Sequence, residues 1–343
     1  MLRDGPQVNL IYHRHIHHAH RSGYDQIANH LGKSLQVPSL AKHLHLPKRL
    51  QWRLADGVIA YDSESFWEEL TAASRILTTS NEIYHFIYGE NSYHYLGYLN
   101  GFRGNKVICT FHLPREAFEK VVRTTTHLKR LAGVVVVASN QLEYFRSLVG
   151  THRVFLVPHG VDTDFFKPGP RAFHNNGKCL FVGTHLRDFA TMRSVIEILE
   201  KRKESTEFEI ITFESNFNYF AGLRCVTLRS GVSDEELLEA YQRADILVLP
   251  LTDCTANNTL LEAMACGLPI VSTDVGAVRD YVDDDCAVLL PPGDATGMAE
   301  SVLALIRGTT QLERMGQHSR ERALEFAWPV IAQKMRMVYQ QLA

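Results

Sequence analysis

Residues 257–276 read NNTLLEAMACGLPIVSTDVG. Two asparagines suited to begin a helix lead into a run of small and apolar residues. Gly267 ends that run, and Pro269 follows it at the start of the β-branched segment PIVST. A capped helix closed by glycine and followed at once by a short apolar strand is the repeating piece of a parallel sheet covered by helices. Glu262 is the odd residue, a lone carboxylate among Leu260, Leu261, Ala263, Met264 and Ala265. A buried, unpaired charge is costly, so Glu262 needs a partner, either protein or ligand.

The same alternation extends outward in both directions. In the first half the strand candidates are VNLIYH, EIYHFIYG, KVICTFH, VVVVAS and VFLVPHGV, with helical spacing at 24–35, 66–77, 116–131 and 141–148. The aperiodic stretch FFKPGPRAFHNNGK interrupts the pattern, which then restarts with KCLFVG, FEIITF, CVTLRSG, DILVLP, PIVST and AVLLP. The expected architecture is α/β, with two doubly wound Rossmann-like domains facing each other across a cleft. Residues 1–166 form the first domain and 167–327 the second, while 328–343 form a further helix that can return to the first. In such sheets ligands bind beyond the carboxyl ends of the strands, so residues just after strands are the site candidates.

Composition narrows the function. The chain has 343 residues, 45% of them hydrophobic and 22% charged, enough for two cores. A formal charge of -2 argues against nucleic acid as a partner bound through the overall field. Six cysteines scattered singly, without a CxxC pair, read as reduced core thiols and point to a cytoplasmic setting, at most on the cytoplasmic face of a membrane. No apolar run approaches the ~18 residues of a membrane span. The N-terminus MLRDGPQVNLIYH has neither a charged leader nor a long apolar core.

The loop DCTANNTLLEAMACG, starting at Asp253, puts the helix start at Asn257 or Asn258 and Glu262 near that end. There a carboxylate can accept from two vicinal hydroxyls, as ribose presents, while the N–H groups of Asn258 and Thr259 face a phosphate. A capping interaction or a nearby arginine is the other reading of Glu262.

The run LLEAMACGLPIVSTDVGAVRDYV, with VPHGVDTDFFKP near the middle of the chain and LFVG opening the second half, resembles the GT-B glycosyltransferases, specifically the retaining glycosyltransferase family 4. The likeness is strong from Val154 to Pro292 and weak before it. A Rossmann dehydrogenase would instead carry GxGxxG after its first strand, and VNLIYHRHIHHAHRSG has none. The resemblance implies transfer of a hexose-type sugar from a nucleotide-diphosphate sugar to an acceptor hydroxyl, with retention and without a metal. The donor is a UDP-sugar first and a GDP-sugar second, and no further cofactor is required. The acceptor is a saccharide, a lipid-linked molecule or a small molecule.

Residue by residue, the family's Glu-x7-Glu motif puts its second glutamate, the ribose ligand, at Glu262. Its first falls on Cys254, flanked by Asp253 and Thr255. A thiol cannot accept as a carboxylate does, so donor-sugar contact passes to Asp253 or to Ala256, Asn257 and Asn258. The loop after LFVG, GTHLRDF, begins with Gly183 and has Thr184 where the family places an arginine. Phe189 stands near its lysine position, and Arg187 is the loop's one cation and the candidate diphosphate clamp. His112, ending KVICTFH, matches a histidine that approaches the reacting face of the donor sugar. Ser22 and Gly23 supply the small turn that approaches the diphosphate or acceptor, and Glu90 with Asn91 lines the acceptor side.

Two stretches stand apart. His13, His15, His17, His18 and His20 cluster in a spacing that matches no closed zinc pattern. KHLHLPKRLQWRL, at 42–54, carries Lys42, Lys48, Arg49 and Arg53 among leucines and a tryptophan, a composition that can meet an anionic membrane surface or form an exposed helix face. Two other functions share the fold: a GT-B sugar-nucleotide epimerase or hydrolase, and a nucleotide-sugar-binding protein that has lost catalysis.

Overall fold

The computed structural model describes residues 6–13, 21–38, 44–170 and 177–343. It contains two six-stranded sheets, parallel throughout. The first comprises β1 (Val8–Ile11), β2 (Lys33–Ser34), β3 (Ile83–Phe86), β4 (Lys106–Phe111), β5 (Gly133–Val136) and β6 (Val154–Leu156), in the order β2-β1-β3-β4-β5-β6. The second comprises β7 (Lys178–Val182), β8 (Glu207–Ile211), β9 (Val226–Arg229), β10 (Ile246–Leu249), β11 (Ile270–Thr273) and β12 (Ala287–Leu290), in the order β12-β11-β10-β7-β8-β9. Read from the other edge, the second order is the 3-2-1-4-5-6 winding of a dinucleotide-binding sheet, whose direction of progression reverses between β7 and β10.

The chain divides into two compact units: 1–18, 23–159 and 328–343 in one, 19–22 and 160–327 in the other. The central strands are fully apolar runs, as strands covered on both faces must be. Ile246, Leu247, Val248 and Leu249 are all buried, as are Val134, Val135 and Val136. In the first unit, Phe111, Phe118 and Phe145 pack among Val107, Val134 and Val136 on one face of the sheet.

The helix Trp328–Leu342 belongs to the first unit. Its Tyr339 hydroxyl meets Nδ1 of His85 at 2.7 Å, and Nε2 of the same ring meets Thr110 at 2.7 Å. Trp328 packs against the rings of Tyr24 and His159. Burial, followed by the nearby His112, lowers His85 to a pKa of about 3, so the ring bridges these hydroxyls as a neutral group.

The first half departs locally from its sequence pattern. The helix expected over 24–35 is a 3-10 turn Tyr24–Ile27 and a short helix Ala28–Leu31, followed by the two-residue edge strand β2. The helix expected over 116–131 stops at Val121 and resumes as a 3-10 turn, Thr126–Arg130. Val122, Thr124 and Thr125 fill the break, since β-branched residues disfavour helix. Among the described residues, no helix is long and apolar enough to cross a membrane.

Candidate active site

In the second unit the loops after β7 and β10 lie side by side where the strand order reverses. Asp188 N–H donates to Pro250 O at 3.0 Å, Thr252 N–H donates to Leu186 O at 3.0 Å, and Arg187 pairs with Leu251 in an isolated antiparallel bridge. Gly183 begins the first loop at φ 102°. A Cβ there would lie 2.6 Å from one terminal nitrogen of Arg187 and 3.0 Å from its guanidinium carbon, so only glycine lets that side chain fold back across it. Thr184 shares a hydroxyl contact of 3.1 Å with Thr212.

The guanidinium of Arg187 is directed at protein oxygens. Nε donates to Val182 O at 2.8 Å and one terminal nitrogen to His185 O at 2.9 Å. The other terminal nitrogen donates to Asn257 Oδ1 at 3.3 Å and Thr259 Oγ1 at 3.0 Å. These contacts engage four of a guanidinium's five N–H groups. Arg187 therefore braces the glycine loop against the start of the helix Asn258–Ala265, and its charge remains in the loop. Burial draws its pKa down to about 10, opposed by Cys254, Tyr241 and Glu262.

Asn257 caps that helix, its side chain accepting the Leu260 N–H at 3.3 Å. The N–H groups of Asn258 and Thr259 then head the helix without intrahelical acceptors. Glu262 lies one turn further in, only 4% exposed. Its two oxygens each take a hydroxyl, Oε1 from Ser22 at 2.5 Å and Oε2 from Tyr241 at 2.9 Å. Burial pushes its carboxyl above the usual range, while these two donors pull it down. The partner of the lone carboxylate is a pair of hydroxyls, with no guanidinium bonded to it among the described residues.

Arg21 and Ser22 group with the second unit and are held there. Arg21 N–H donates to Asp234 at 2.7 Å, and its guanidinium lies 3.6 Å from Asp162 and over the Phe165 ring. Gly23, the next residue, opens the 3-10 turn of the first unit.

Asp253 accepts the Cys254 N–H at 2.7 Å. Cys254 itself is buried, its thiol directed at Thr255 O at 3.3 Å, and burial pushes that thiol up to about 12. Position 254 thus holds a neutral, inward-facing group where the family pattern calls for an anion.

The remaining described candidates lie in the first unit. His112 follows β4, with the Tyr24 and Tyr88 rings 4.7 and 5.1 Å from its own and Glu90 Oε1 3.3 Å from its Nδ1. His13 pairs with Glu68 at 3.2 Å. Although burial opposes it, that carboxylate carries the imidazole pKa up to about 9. His15, His17, His18 and His20 lie outside the described residues, as does Lys42. Lys48–Ala55 is a helix without a buried residue, with Trp52 85% exposed beside Lys48, Arg49 and Arg53.

Tyr241 and Asp234 were not legible as site residues. Their signal is the helix face Leu237, Ala240 and Tyr241, because a buried tyrosine normally has a partner for its hydroxyl.

Two parallel, doubly wound α/β sheets, the second with two loops meeting at its switch point, are the architecture of the GT-B fold. HepE (Alr3699) of Anabaena, solved with UDP and glucose, superposes over 98% of this chain and 99% of its own with a TM-score of 0.69 at 13% identity, which shows the fold. Residues 177–308 match the family model for glycosyl transferases group 1. The MMP alpha-(1->4)-mannosyltransferase of Mycolicibacterium hassiacum is 29% identical over 203 residues, 56% of this chain and 49% of that protein. The phosphatidyl-myo-inositol mannosyltransferase of Mycobacterium leprae is 24% identical over 255 residues, 69% of this chain and 67% of that protein. The chain spans about half to two thirds of the length of these curated relatives. The group 1 match lies within its second unit, and the chain as a whole has the GT-B fold.

Proposed function

We propose that this chain is a retaining hexosyltransferase that moves a sugar from a nucleotide-diphosphate donor to an acceptor hydroxyl without a metal ion. UDP-sugars are the first candidate donors and GDP-sugars the second. The acceptor is a saccharide, a lipid-linked molecule or a small molecule. The second unit takes the donor, with the ribose diol on Glu262 and the phosphates on the N–H groups of Asn258 and Thr259 and the loop Gly183–Thr184. Arg187 supplies the neighbouring positive charge. Asp253 and Asn257 meet the sugar, His112 its reacting face, and Ser22 and Gly23 the diphosphate or acceptor. The first unit takes the acceptor. The exposed 44–53 stretch, with Trp52 and its cations, can meet a cytoplasmic membrane face.

The observation that carries this reading is the Glu262 carboxylate. It is buried, yet both its oxygens are engaged by hydroxyls, and it stands one turn inside a helix that begins at the switch point. A site that already gathers two hydroxyls on one carboxylate suits a vicinal diol, whose hydroxyls can replace that of Ser22. In the reaction the anomeric carbon–phosphate oxygen bond breaks and the acceptor oxygen bonds to the same face. The acceptor proton passes to the departing diphosphate, so protein groups stabilise charge and hold position.

Calorimetric titration of UDP and GDP against wild type and Glu262→Gln tests the assignment. Wild type should bind one of them, and the variant should bind it about 10- to 100-fold more weakly, the range expected for hydrogen bonds to a charged acceptor. Equal affinities would reject Glu262 as the ribose ligand. The buried thiol at Cys254 favours a second reading, a nucleotide-sugar-binding protein without turnover. Nucleotide binding without acceptor-dependent release of nucleotide would establish that one.

A further inference from the structure

In the first unit, β3 and β4 are neighbours, with Phe86 opposite Cys109, and the chain beyond each delivers one functional group. The turn Gly89–Ser92 follows β3 and carries Glu90, while His112 follows β4 directly. Gly89 permits the approach. A Cβ there would come within 2.8 Å of both the Cys109 Cβ and the Phe111 ring, so the turn can lie against β4 only with glycine at its head. Glu90 is consequently 4% exposed, and its Oε1 faces His112 twice. The His112 backbone N–H donates to it at 3.2 Å, and His112 Nδ1 stands at an ion-pair distance of 3.3 Å. Tyr88, which also walls the imidazole, gives its hydroxyl to Asp25 at 2.8 Å and so leaves Glu90 to His112. The imidazole of His112 is thus the side chain that Glu90 Oε1 approaches.

A carboxylate fixed beside Nδ1 favours the imidazole tautomer with its proton there, which places the lone pair on Nε2. We propose that Glu90 is a positioning residue. It sets the His112 tautomer so that Nε2 accepts a hydrogen bond from a sugar hydroxyl. The identity of that hydroxyl rests on the glycosyltransferase reading, whereas the tautomer does not.

Long-range proton–nitrogen correlation spectra of protein labelled with 15N-histidine test the proposal, with the His112 signals assigned by their loss in His112→Asn. Above the titration of the ring, wild type should show the Nδ1–H form. Glu90→Gln and Glu90→Ala should shift to the Nε2–H form or a mixture, and Glu90→Asp should keep part of the wild-type signal. With an active donor–acceptor pair, Glu90→Gln should lower kcat about 10- to 100-fold while UDP affinity stays within about twofold, because neither Glu90 nor His112 is among the proposed nucleotide ligands. An Nε2–H tautomer in wild type, or an unchanged tautomer in a folded Glu90→Gln, would overturn the proposal. If the glutamate variants do not fold, the wild-type tautomer alone decides. If wild type transfers no sugar yet shows Nδ1–H, the glycosyltransferase reading fails and the Glu90–His112 arrangement survives.

Discussion

The two units start their helices in different ways. In the second, the helices after β7, β9, β10 and β12 each begin at a short polar side chain that accepts a backbone N–H. Asp188 takes it from Thr191, Ser233 from Glu236, Asn257 from Leu260 and Asp294 from Gly297. In the first, Asp62 does this for Ser63–Ile76, whereas Pro47, Pro114 and Gln141 precede helices without a side-chain cap bond.

The first unit is instead held by buried polar groups whose partners are distant in sequence. Glu69 accepts the N–H groups of His94, Tyr95 and Leu96 at 2.7–2.8 Å and the Tyr61 hydroxyl at 2.7 Å. Its burial outweighs these bonds and pushes its pKa to about 7. His85 joins β3 to Thr110 and to Tyr339, 254 positions away. The difference teaches that four helix starts of the second unit are written in local capping chemistry, whereas buried polar partners such as those of Glu69, His85 and Glu262 are long-range contacts, which spacing does not encode.

That contrast can be tested most severely at Gly183. Alanine there has to adopt φ near 102° and displace Arg187, so Gly183→Ala should combine backbone strain with overpacking for a loss of about 4 kcal/mol. Urea unfolding would measure it, and a loss below about 1 kcal/mol would show that the loop tolerates rearrangement.

Acid should next expose the first unit's reliance on neutral histidines. The folded pKa of His85, about 3, lies below its unfolded 6.5. The unfolded chain therefore binds the extra proton in that window, and stability falls as pH drops from 6.5 toward 3 by about 1.4 kcal/mol per unit for this group. Glu69 acts in the opposite sense, because its raised pKa lets the folded state take up a proton first. A comparison of wild type with His85→Gln isolates the histidine. Between pH 6.5 and 4.5 the variant should lose about 2.3 kcal/mol less than wild type, and parallel stability–pH curves would contradict this.

The smallest effect belongs to Tyr241→Phe, which strips a hydroxyl from the Glu262 carboxylate and leaves one oxygen without that donor. About 2 kcal/mol of stability should be lost, and nucleotide binding should weaken and fade at higher pH than in wild type as the carboxyl becomes easier to protonate. An unchanged pH dependence of binding would detach Tyr241 from the site.

Much of this was legible in the sequence. All six strands of the second sheet fall on β-branched runs closed by turns, and Glu262 stands out because a carboxylate among Leu and Ala needs a reason. The edge strand β2 was not legible, since Lys33–Ser34 has no strand character and pairs only because Asn9 and Leu10 lie alongside. The sequence marks Ser22 as part of a small diphosphate or acceptor turn, and it lies on the Glu262 carboxylate. Its partner is 240 positions away, which no spacing rule reaches. Arg187 is legible as the loop's cation, but its bonds to Val182, His185, Asn257 and Thr259 depend on two loops that meet only in the folded sheet. Glu90 reads as an acceptor-side residue, while its pairing with His112 requires the parallel register of β3 and β4.

The closing helix Trp328–Leu342 belongs with the first sheet although the whole of the second sheet precedes it in the chain. Neither half is therefore one uninterrupted stretch of gene. A recombinant that exchanged the second half for a relative's would have to preserve two seams, and a product truncated before Trp328 would leave the imidazole of His85 facing water where a phenol should be.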